Sequence, residues 1–277
     1  MALVGNRVAL ISGIARGQGR SDALRLAQEG ADIIGFDVAA DDPVLEYPLA
    51  TKEDLAETVR QIEAIGRRTH IVVADVRDYD AVEKVIADGV KKLGRLDFVI
   101  ANAGIAPVTN QIRFHRDAFV ASIEVMLTGV FNTIYPSIPY IKAGGQGGAI
   151  VIHGSTIGVV GGILTEPSPG EIGYAAAKHG VVGVMHTVAN ALAADSIRVN
   201  VVHATAVRTP MVVNEAMARH FRDHPELAKM IENPLPTPGG MLEPSDVTNT
   251  VLHLVSDAGR YITGQSVVVD AGYTTYR

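Results

Sequence analysis

The sequence predicts an α/β fold in which helices cover both faces of a doubly wound parallel sheet, and three observations support this. Short apolar, β-branched runs recur along the 277 residues, and longer segments with helical periodicity separate them. Most of the runs are continuously apolar, which is typical of strands buried on both faces. Strands that alternate with helices form βαβ units with right-handed crossovers. We therefore expect one domain, residues 1–277, with a sheet of about seven strands.

The predicted elements follow one another along the chain. The strands are Val8–Ser12, Asp32–Asp37, His70–Asp75, Leu96–Asn102, Ala149–Ser155, Ile197–Ala204 and Ser266–Asp270. Glycines end several of the predicted helices, as is common at helix C-termini, and a Thr-x-x-Asp signature starts one of them. The helices are a run from Arg20 to Gly30, then Thr51–Ile65, Tyr79–Leu93, Phe114–Lys142 and Tyr174–Ala194.

Two connections are longer than the rest. Residues 38–50 contain two prolines and three acidic residues, and residues 208–243 contain an amphipathic patch, Met211–Phe221. Long connections that follow the carboxyl end of a strand commonly hold ligands. We interpret the first as a flap near a cofactor and the second as a substrate lid. A tolerated surface insertion is the alternative for the first.

Composition excludes several classes of function. The chain has no cysteine, so it has no disulfide, thiolate–metal site or catalytic thiol. Its 24 basic and 30 acidic residues include no basic block, which argues against nucleic acid as a partner. We expect no membrane span, no signal peptide and a cytoplasmic location. The nine histidines are spread along the chain, and we expect no metal site.

A glycine-rich loop follows the first predicted strand. Gly13, Gly17 and Gly19 are spaced Gly-x-x-x-Gly-x-Gly, with Arg16 and Gln18 between them, and a helix begins within the loop. Glycine permits a tight turn and a close approach of the backbone to a pyrophosphate at the helix N-terminus. The loop therefore predicts a dinucleotide site.

Acidic and amide side chains at later strand ends extend this site. Asp37 ends the second strand, where a carboxylate can accept both ribose hydroxyls of an adenosine and repel a 2′-phosphate, so it favours NAD over NADP. Arg16 is a signal in the opposite direction, because an arginine there can pair with that phosphate. Asp75 ends the third strand as an expected adenine contact, and Asn102, Ala103 and Gly104 follow the fourth.

A catalytic arrangement is predicted near the fifth strand. Tyr174 and Lys178 are four residues apart and share one face of a helix, which we expect to open at the tyrosine. An ammonium group nearby, together with a nicotinamide cation, lowers the pKa of a phenol from its free value of about 10. Ser155 at the strand end can hydrogen-bond a substrate oxygen. His153, two residues earlier, is either a packing residue or a substrate contact.

These motifs together resemble the short-chain dehydrogenase/reductase family, and the resemblance runs from Gly5 to Gly272. Three stretches, Ala15–Ser21, Tyr47–Val59 and His203–Met211, are similar to its carveol-dehydrogenase-like, mycofactocin-associated actinobacterial subgroup. The resemblance implies a Rossmann-type fold, NAD-dependent interconversion of a secondary alcohol and a ketone, and a homotetramer. It also implies an NAD held so tightly that exchange is restricted, and hence an external electron acceptor.

The resemblance also implies roles for single residues. Tyr174 becomes the general acid/base, Lys178 binds the nicotinamide ribose and lowers the tyrosine pKa, and Ser155 positions the substrate oxygen. An apolar substrate pocket is expected from Val159, Val160, Ile163, Leu164 and the Met211–Met217 segment. The implied cofactor residues are Gly13, Arg16, Gly17, Gln18, Gly19, Asp37, Asp75, Val76, Asn102, Ala103, Gly104, Tyr174, Lys178, Val207, Thr209 and Met211.

The chain departs from the family pattern at three places. Met126 stands where the family has an asparagine of its proton relay, so a relay here needs a backbone carbonyl and water. Ala204 replaces a proline beside the nicotinamide, and residues 161–171 lengthen the interval between Ser155 and Tyr174. These departures motivate an alternative function, a weakly catalytic or non-catalytic cofactor-binding sensor or scaffold. An NADP-dependent reductase is a third option.

Overall fold

The strands form one parallel sheet in the computed structural model, which describes residues 2–162, 168–225, 227 and 232–275. Within these residues the order is β3-β2-β1-β4-β5-β6-β7, so the chain winds outward in both directions from β1 and β4, as predicted for a doubly wound sheet. The strands are β1 Val8–Ser12, β2 Asp32–Asp37, β3 Thr69–Val73, β4 Phe98–Ala101, β5 Gly148–His153, β6 Ile197–Ala204 and β7 Ser266–Val269.

Helices cover both faces of the sheet. In the described residues they are α1 Gly17–Gln28, α2 Lys52–Ala64, α3 Tyr79–Leu93, α4 Arg116–Ile123, α5 Gly129–Ile134, α6 Ile138–Ala143, α7 Ile157–Val160, α8 Pro169–Leu192, α9 Glu215–Asp223 and α10 Pro244–Val255. Successive residues of a strand point to opposite faces. Leu10 therefore belongs to one apolar core with α3 and α8, whereas its neighbours Ala9 and Ile11 belong to a second core with α1 and α10.

The predicted bounds of four elements agree with those of the structure. The bounds of β1, β2, β6 and α3 are those predicted, and Gly94 ends α3 in the left-handed conformation. The other four strands are shorter at their carboxyl ends than predicted, since Asp75, Asn102, Ser155 and Asp270 lie just beyond the last strand residues. These residues are thus in the loops above the sheet.

The long helix predicted over Phe114–Lys142 is not one regular helix. A π-helical turn, Glu124–Thr128, separates α4 from α5, and a short 3₁₀ turn follows α5. By length and composition Arg116–Ala143 is apolar enough to cross a membrane, which the sequence analysis did not note. More than half of its most apolar window, 56%, is buried inside the protein, as is typical of a core helix.

The helix that carries Tyr174 starts earlier than predicted. Ser168 caps it by accepting a hydrogen bond from the Glu171 backbone, and Pro169 occupies its first position. Proline is favoured there because the first turn of a helix has no acceptor for its N–H. Tyr174 therefore lies in the second turn of α8, where the following turns hold its backbone, and not at a helix end.

We expect Thr51→Ala to lower the free energy of unfolding by about 1 kcal/mol, the usual contribution of a helix N-cap. The Thr51 hydroxyl accepts from the Asp54 backbone at 3.1 Å, and the Asp54 carboxylate accepts from the Thr51 backbone at 2.9 Å. Urea unfolding monitored by circular dichroism measures the change. Lys52→Ala, one residue further on and exposed, is the control, and an equal stability of the two variants would contradict the capping role.

Candidate active site

Most of the predicted cofactor residues lie along one groove at the carboxyl edge of the sheet. The groove crosses the point where the strand order reverses, which is where such sheets bind ligands. Its lining includes Gly13, Arg16, Gly17, Gln18, Asp37, Asp75, Val76, Asn102, Ala103, Gly104, Tyr174, Lys178, Thr209 and Met211.

Three predicted residues have other positions. Gly19 lies beneath the loop, where a Cβ would be 2.2 Å from the Gly13 carbonyl oxygen. Val207 is buried and pairs with Leu242 in an isolated β-bridge, and it is not among the described lining residues of the groove. Ser155 is buried beside the groove, next to Tyr174.

Close packing between the ends of β1 and β4 shapes the floor of the groove. Gly13 has φ +69°, and a Cβ there would lie 2.8 Å from the Ala103 Cα. The Asn102 amide donates to the carbonyls of Ser12 and Gly13, both at 3.0 Å. The Ser12 hydroxyl in turn accepts from the Asn102 backbone at 3.1 Å. Only glycine fits at position 13 because its backbone conformation and this contact both exclude a side chain.

Asp37 lies where a carboxylate can meet a ribose. Its oxygens accept hydrogen bonds from the backbone N–H groups of Ala15 at 3.0 Å and Ala39 at 3.3 Å. Burial raises the pKa of Asp37, and these two hydrogen bonds oppose the rise. The carboxylate is thus held in place by backbone on one side and faces the groove on the other.

Asp75 belongs to a charged cluster on the rim of the groove. Arg77 binds it through Nη2 at 2.6 Å and reaches Asp42 of the 38–50 segment at 2.9 Å. Burial acts to raise the pKa of Asp75, but the Arg77 hydrogen bonds outweigh it, and the pKa is lowered. Arg77 therefore ties the end of β3 to the 38–50 segment, a contact that the sequence analysis did not predict.

The 38–50 segment is fastened across the groove at further points. Arg16 donates to the Pro48 carbonyl at 2.7 Å, so one of its N–H groups holds the segment to the glycine loop. On the opposite rim, the Ala106 N–H donates to the Tyr47 hydroxyl at 2.9 Å. Tyr47 is 5% exposed and lines the groove, and burial raises its pKa to about 12. The segment thus joins the glycine loop to the loop that follows β4.

Ser155, Tyr174 and Lys178 come together where the groove reaches α8. Tyr174 is hydrogen-bonded to the Ser155 side chain. The Lys178 Nζ lies 5.8 Å from the centroid of the Tyr174 ring and donates to the His153 carbonyl at 2.8 Å. The i, i+4 spacing therefore brings the phenol and the ammonium to one side of α8, as the sequence predicts.

The protein groups around Tyr174 raise its pKa, whereas the sequence analysis expected a lowered pKa. Burial raises the pKa of Tyr174, and the hydrogen bond with Ser155 only partly opposes this. Burial also lowers the pKa of Lys178 to about 8, which weakens its ability to stabilise a phenolate. The prediction considered the charge of Lys178 but not the desolvation of both groups, which sequence spacing does not reveal.

His153 is part of a buried hydrogen-bond network. Its Nε2 lies 2.8 Å from Oδ2 of Asp22 in α1, and the other Asp22 oxygen accepts from the Thr248 hydroxyl of α10 at 2.6 Å. The contact with Asp22 favours the packing role for His153, which also lies among the residues that line the groove. Its carbonyl, however, is the acceptor for Lys178, so the network fixes the strand end that holds the lysine.

A second buried histidine supports Ser155. His203, near the end of β6, has its Nδ1 2.7 Å from the Ser155 carbonyl and its Nε2 3.3 Å from the Ser266 hydroxyl. Burial lowers the pKa of His203, which favours a neutral ring with Nδ1–H as the donor. The histidine of the His203-Ala204-Thr205 stretch thus holds the backbone of the predicted catalytic serine.

Met126 fills the position of the expected relay asparagine with apolar volume. It is 1% exposed and lies within the π-helical turn. A Cβ built on Gly104 would be 3.8 Å from its Sδ, so the side chain packs under the loop that follows β4. Ala204, the last residue of β6, is also buried. Met126 also lines the groove, together with Tyr174 and Lys178.

A second, mostly apolar pocket adjoins the groove at Tyr174. The predicted Met211–Met217 segment lines it through Met211, Val212 and Met217. Val159 and Val160 point elsewhere: both are exposed, and neither is among the described lining residues. Ile163 and Leu164 lie outside the described residues. Ala106, Val108, Ile157 and Phe221 are apolar lining residues that the sequence analysis missed.

Two histidines of the lid are closer than the sequence analysis noted. His220 and His224 are spaced as a His-x-x-x-His pair, and their ring centroids are 5.0 Å apart. Among the residues that the structure describes, no group of three His, Asp or Glu side chains is placed to hold a metal ion. α9 ends at Asp223, so the second histidine lies just past the helix.

Comparisons with known proteins agree with this geometry. A family model described as enoyl-(acyl carrier protein) reductase matches residues 13–274. The chain is 44% identical to the (−)-trans-carveol dehydrogenase of Rhodococcus erythropolis, with 99% of each chain covered. The chain also matches the crystal structure of carveol dehydrogenase from Mycobacterium avium in complex with NAD. The two sequences are 40% identical, the match covers 100% of each chain, and the TM-score is 0.90.

A second solved structure is similar to the same extent. The short-chain dehydrogenase of Mycobacterium paratuberculosis bound to NAD is 40% identical, with 99% of this chain and 100% of that chain covered and a TM-score of 0.89. These matches extend over nearly the whole chain. The chain therefore belongs to the short-chain dehydrogenase/reductase family.

Proposed function

We propose that the protein is an NAD-dependent oxidoreductase that interconverts a secondary alcohol and a ketone. One observation carries this proposal: Tyr174 lines both the cofactor groove and the apolar pocket. A proton-transferring group is thus placed where a hydride donor and an apolar substrate meet. Relatives named carveol dehydrogenase support a cyclic, largely apolar alcohol as the substrate class.

The residues of the groove fit NAD. The space over Gly13 and Gly17, which a side chain would fill, suits a pyrophosphate, and both glycines line the groove. The Asp37 carboxylate suits the two hydroxyls of an adenosine ribose and opposes a 2′-phosphate. Arg16, the opposing signal, donates a hydrogen bond to the Pro48 carbonyl of the 38–50 segment. When bound, the nicotinamide supplies the acceptor or donor of a hydride.

The chain's own residues supply the proton chemistry. The Tyr174 phenolate takes the proton from the alcohol oxygen during oxidation, and the phenol so formed returns it to the ketone oxygen during reduction. Ser155 hydrogen-bonds the same oxygen, and its backbone is held by His203 at 2.7 Å. Lys178, held by the His153 carbonyl, contributes positive charge beside the phenol. That charge acts against the burial that raises the pKa of Tyr174.

The alternative of a sensor or scaffold is not favoured. It was motivated by Met126 and Ala204, but both side chains are buried, and Tyr174 and Lys178 line the groove together with Met126. The matches to proteins named as dehydrogenases also argue for turnover.

We expect Tyr174→Phe to lower kcat about 100-fold or more, because general acid/base catalysis typically contributes that much. The rate is measured as nicotinamide reduction with a panel of cyclic secondary alcohols. Tyr261→Phe, at a tyrosine that is 89% exposed, is the matched control and keeps the activity. Unchanged turnover in Tyr174→Phe would rule out the mechanism.

We also propose that the 38–50 segment retains NAD, so that oxidised cofactor is regenerated by an external electron acceptor. Its fastenings on both rims of the groove, at Arg16, Arg77 and Ala106, support this. Release of a bound dinucleotide requires these contacts to open. If the bound NAD does not exchange, addition of an alcohol gives a single burst of NAD reduction equal in amount to the bound cofactor. Addition of an electron acceptor then restores turnover.

We expect Tyr47→Phe to speed NAD dissociation about fivefold, since one neutral hydrogen bond contributes about 1 kcal/mol. The ring stays in place while the acceptor for the Ala106 N–H is lost. Stopped-flow displacement of bound NADH measures the rate, with Tyr261→Phe again as the control. An unchanged rate in Tyr47→Phe would contradict a role of this segment in retention.

We further propose a homotetramer in which the segments α4–α6 and α8 of different copies pack together. Exposed aromatic rings support this, since Phe131 and Tyr135 stack at 5.1 Å between centroids while each is about half exposed. We expect Phe131→Lys to produce smaller assemblies in light scattering, because it places a charge in the apolar contact. Tyr261→Lys is the control, and an unchanged mass of Phe131→Lys would exclude this surface.

A further inference from the structure

The apolar pocket has one polar end, which the proposed reaction does not use. We call Arg113, Glu171 and His220 the polar end of the pocket. His220, on the lid helix α9, and Glu171, on α8, line the pocket together with Tyr174. The remaining lining side chains are apolar, for example Val108, Met217 and Phe221. Burial of an imidazole in such an apolar wall costs free energy unless the ring has a hydrogen-bond partner.

One ring nitrogen of His220 has no hydrogen-bond partner among the described residues. The residue is 4% exposed, and its buried Nδ1 has no hydrogen-bond partner among the described residues. A neutral imidazole carries one donor and one acceptor nitrogen. Rotation of the ring by half a turn exchanges Nδ1 with a carbon position, so a nitrogen can be presented to a molecule in the pocket.

Arg113 adds a second group with unused donors. It is 3% exposed, and its Nε and Nη1 have no hydrogen-bond partner within the part of the chain that the structure describes. Its Nη1 lies 3.7 Å from Oε2 of Glu171, so the two form an ion pair behind the pocket wall. Two neighbouring side chains that are both nine-tenths buried and incompletely paired mark this end of the pocket as polar.

The charges at this end balance. Arg113 and Glu171 offset each other, and burial, followed by the nearby Arg113 charge, lowers the pKa of His220 and keeps its ring neutral. His224, Asp223 and Glu46 are the other titratable groups that act on this ring. A neutral polar end favours a neutral oxygen over a carboxylate, because a buried anion needs a countercharge that Glu171 already uses.

We propose that His220 determines substrate specificity by binding a second, uncharged oxygen of the substrate, at a distance from the carbinol that reacts at Tyr174. This inference rests on the proposed alcohol oxidation and narrows its substrate class. The substrate is a mostly apolar secondary alcohol that carries a further hydroxyl or carbonyl group. The apolar walls bind its carbon skeleton, and the two polar ends of the pocket set its orientation.

The test compares two alcohols that differ in one oxygen. The probes are para-isopropylcyclohexanol and its analogue with a tertiary hydroxyl on the isopropyl carbon. A tertiary carbinol has no hydrogen to lose as hydride, so only the ring carbinol of each probe can react. We expect the wild-type protein to prefer the hydroxylated probe in kcat/KM.

In His220→Leu that preference falls about fivefold, the usual effect of one neutral hydrogen bond. His220→Gln, which keeps a donor and an acceptor, retains most of the preference. Met217→Leu, on the same helix and in the same pocket, is the matched control and leaves the ratio unchanged. Equal ratios in the wild type and His220→Leu would overturn the inference.

Calorimetric binding of both probes to the NAD-loaded protein separates this inference from the proposed function. If neither probe is oxidised but the ratio of Kd values follows His220, the specificity role stands and the proposed oxidation fails for these alcohols. If both are oxidised with the same ratio in every variant, the oxidation stands and the inference fails. Tighter binding of a para-carboxylate analogue than of the hydroxylated probe would overturn the assignment of an uncharged oxygen.

Discussion

The close approach of β1 and β4 is the constraint on which the rest of the site depends. The two strands are adjacent in the sheet, and Asn102, just past the end of β4, binds the carbonyls of Ser12 and Gly13. Since position 13 has no side chain, the loop can pass directly over Ala103. The α1 N-terminus, Asp37 and the loop after β4 thereby share one groove, because every parallel strand delivers its carboxyl end to the same edge.

Buried polar groups behind the groove hold the proposed catalytic residues in place. His153 bonds to Asp22 in α1, and His203 bonds to the Ser155 carbonyl, so each histidine ties a strand end next to the proposed reaction centre. Such groups are costly to bury without partners but stabilise a single arrangement when paired. His220 is the contrasting case, since its buried Nδ1 has no hydrogen-bond partner among the described residues and the residue lines the apolar pocket. This contrast suggests a role in binding for His220 and in positioning for the other two.

Local sequence was sufficient for much of the fold and part of the site. Continuous apolar runs identified every strand of the described sheet, and the Thr51–Asp54 capping box and Gly94 gave the start of α2 and the end of α3. The start of α8 at Pro169 and the break at Glu124–Thr128 were not predicted. Pro169 starts α8 five residues before Tyr174, because proline is favoured at the first position of a helix, and a π-helical turn has no clear composition signal.

What the sequence alone determined about this protein is the fold class, the glycine loop, Asp37 and the spacing of Tyr174 and Lys178, since each depends on a periodicity or a spacing of a few residues. Only the tertiary structure decided how these groups behave. The pKa shifts of Tyr174 and Lys178 arise from burial. The fastening of the 38–50 segment joins residues far apart in the chain, and the polar end of the pocket joins α8 and α9. Desolvation and long-range contacts depend on which atoms surround a group in three dimensions, and a linear pattern does not contain that information.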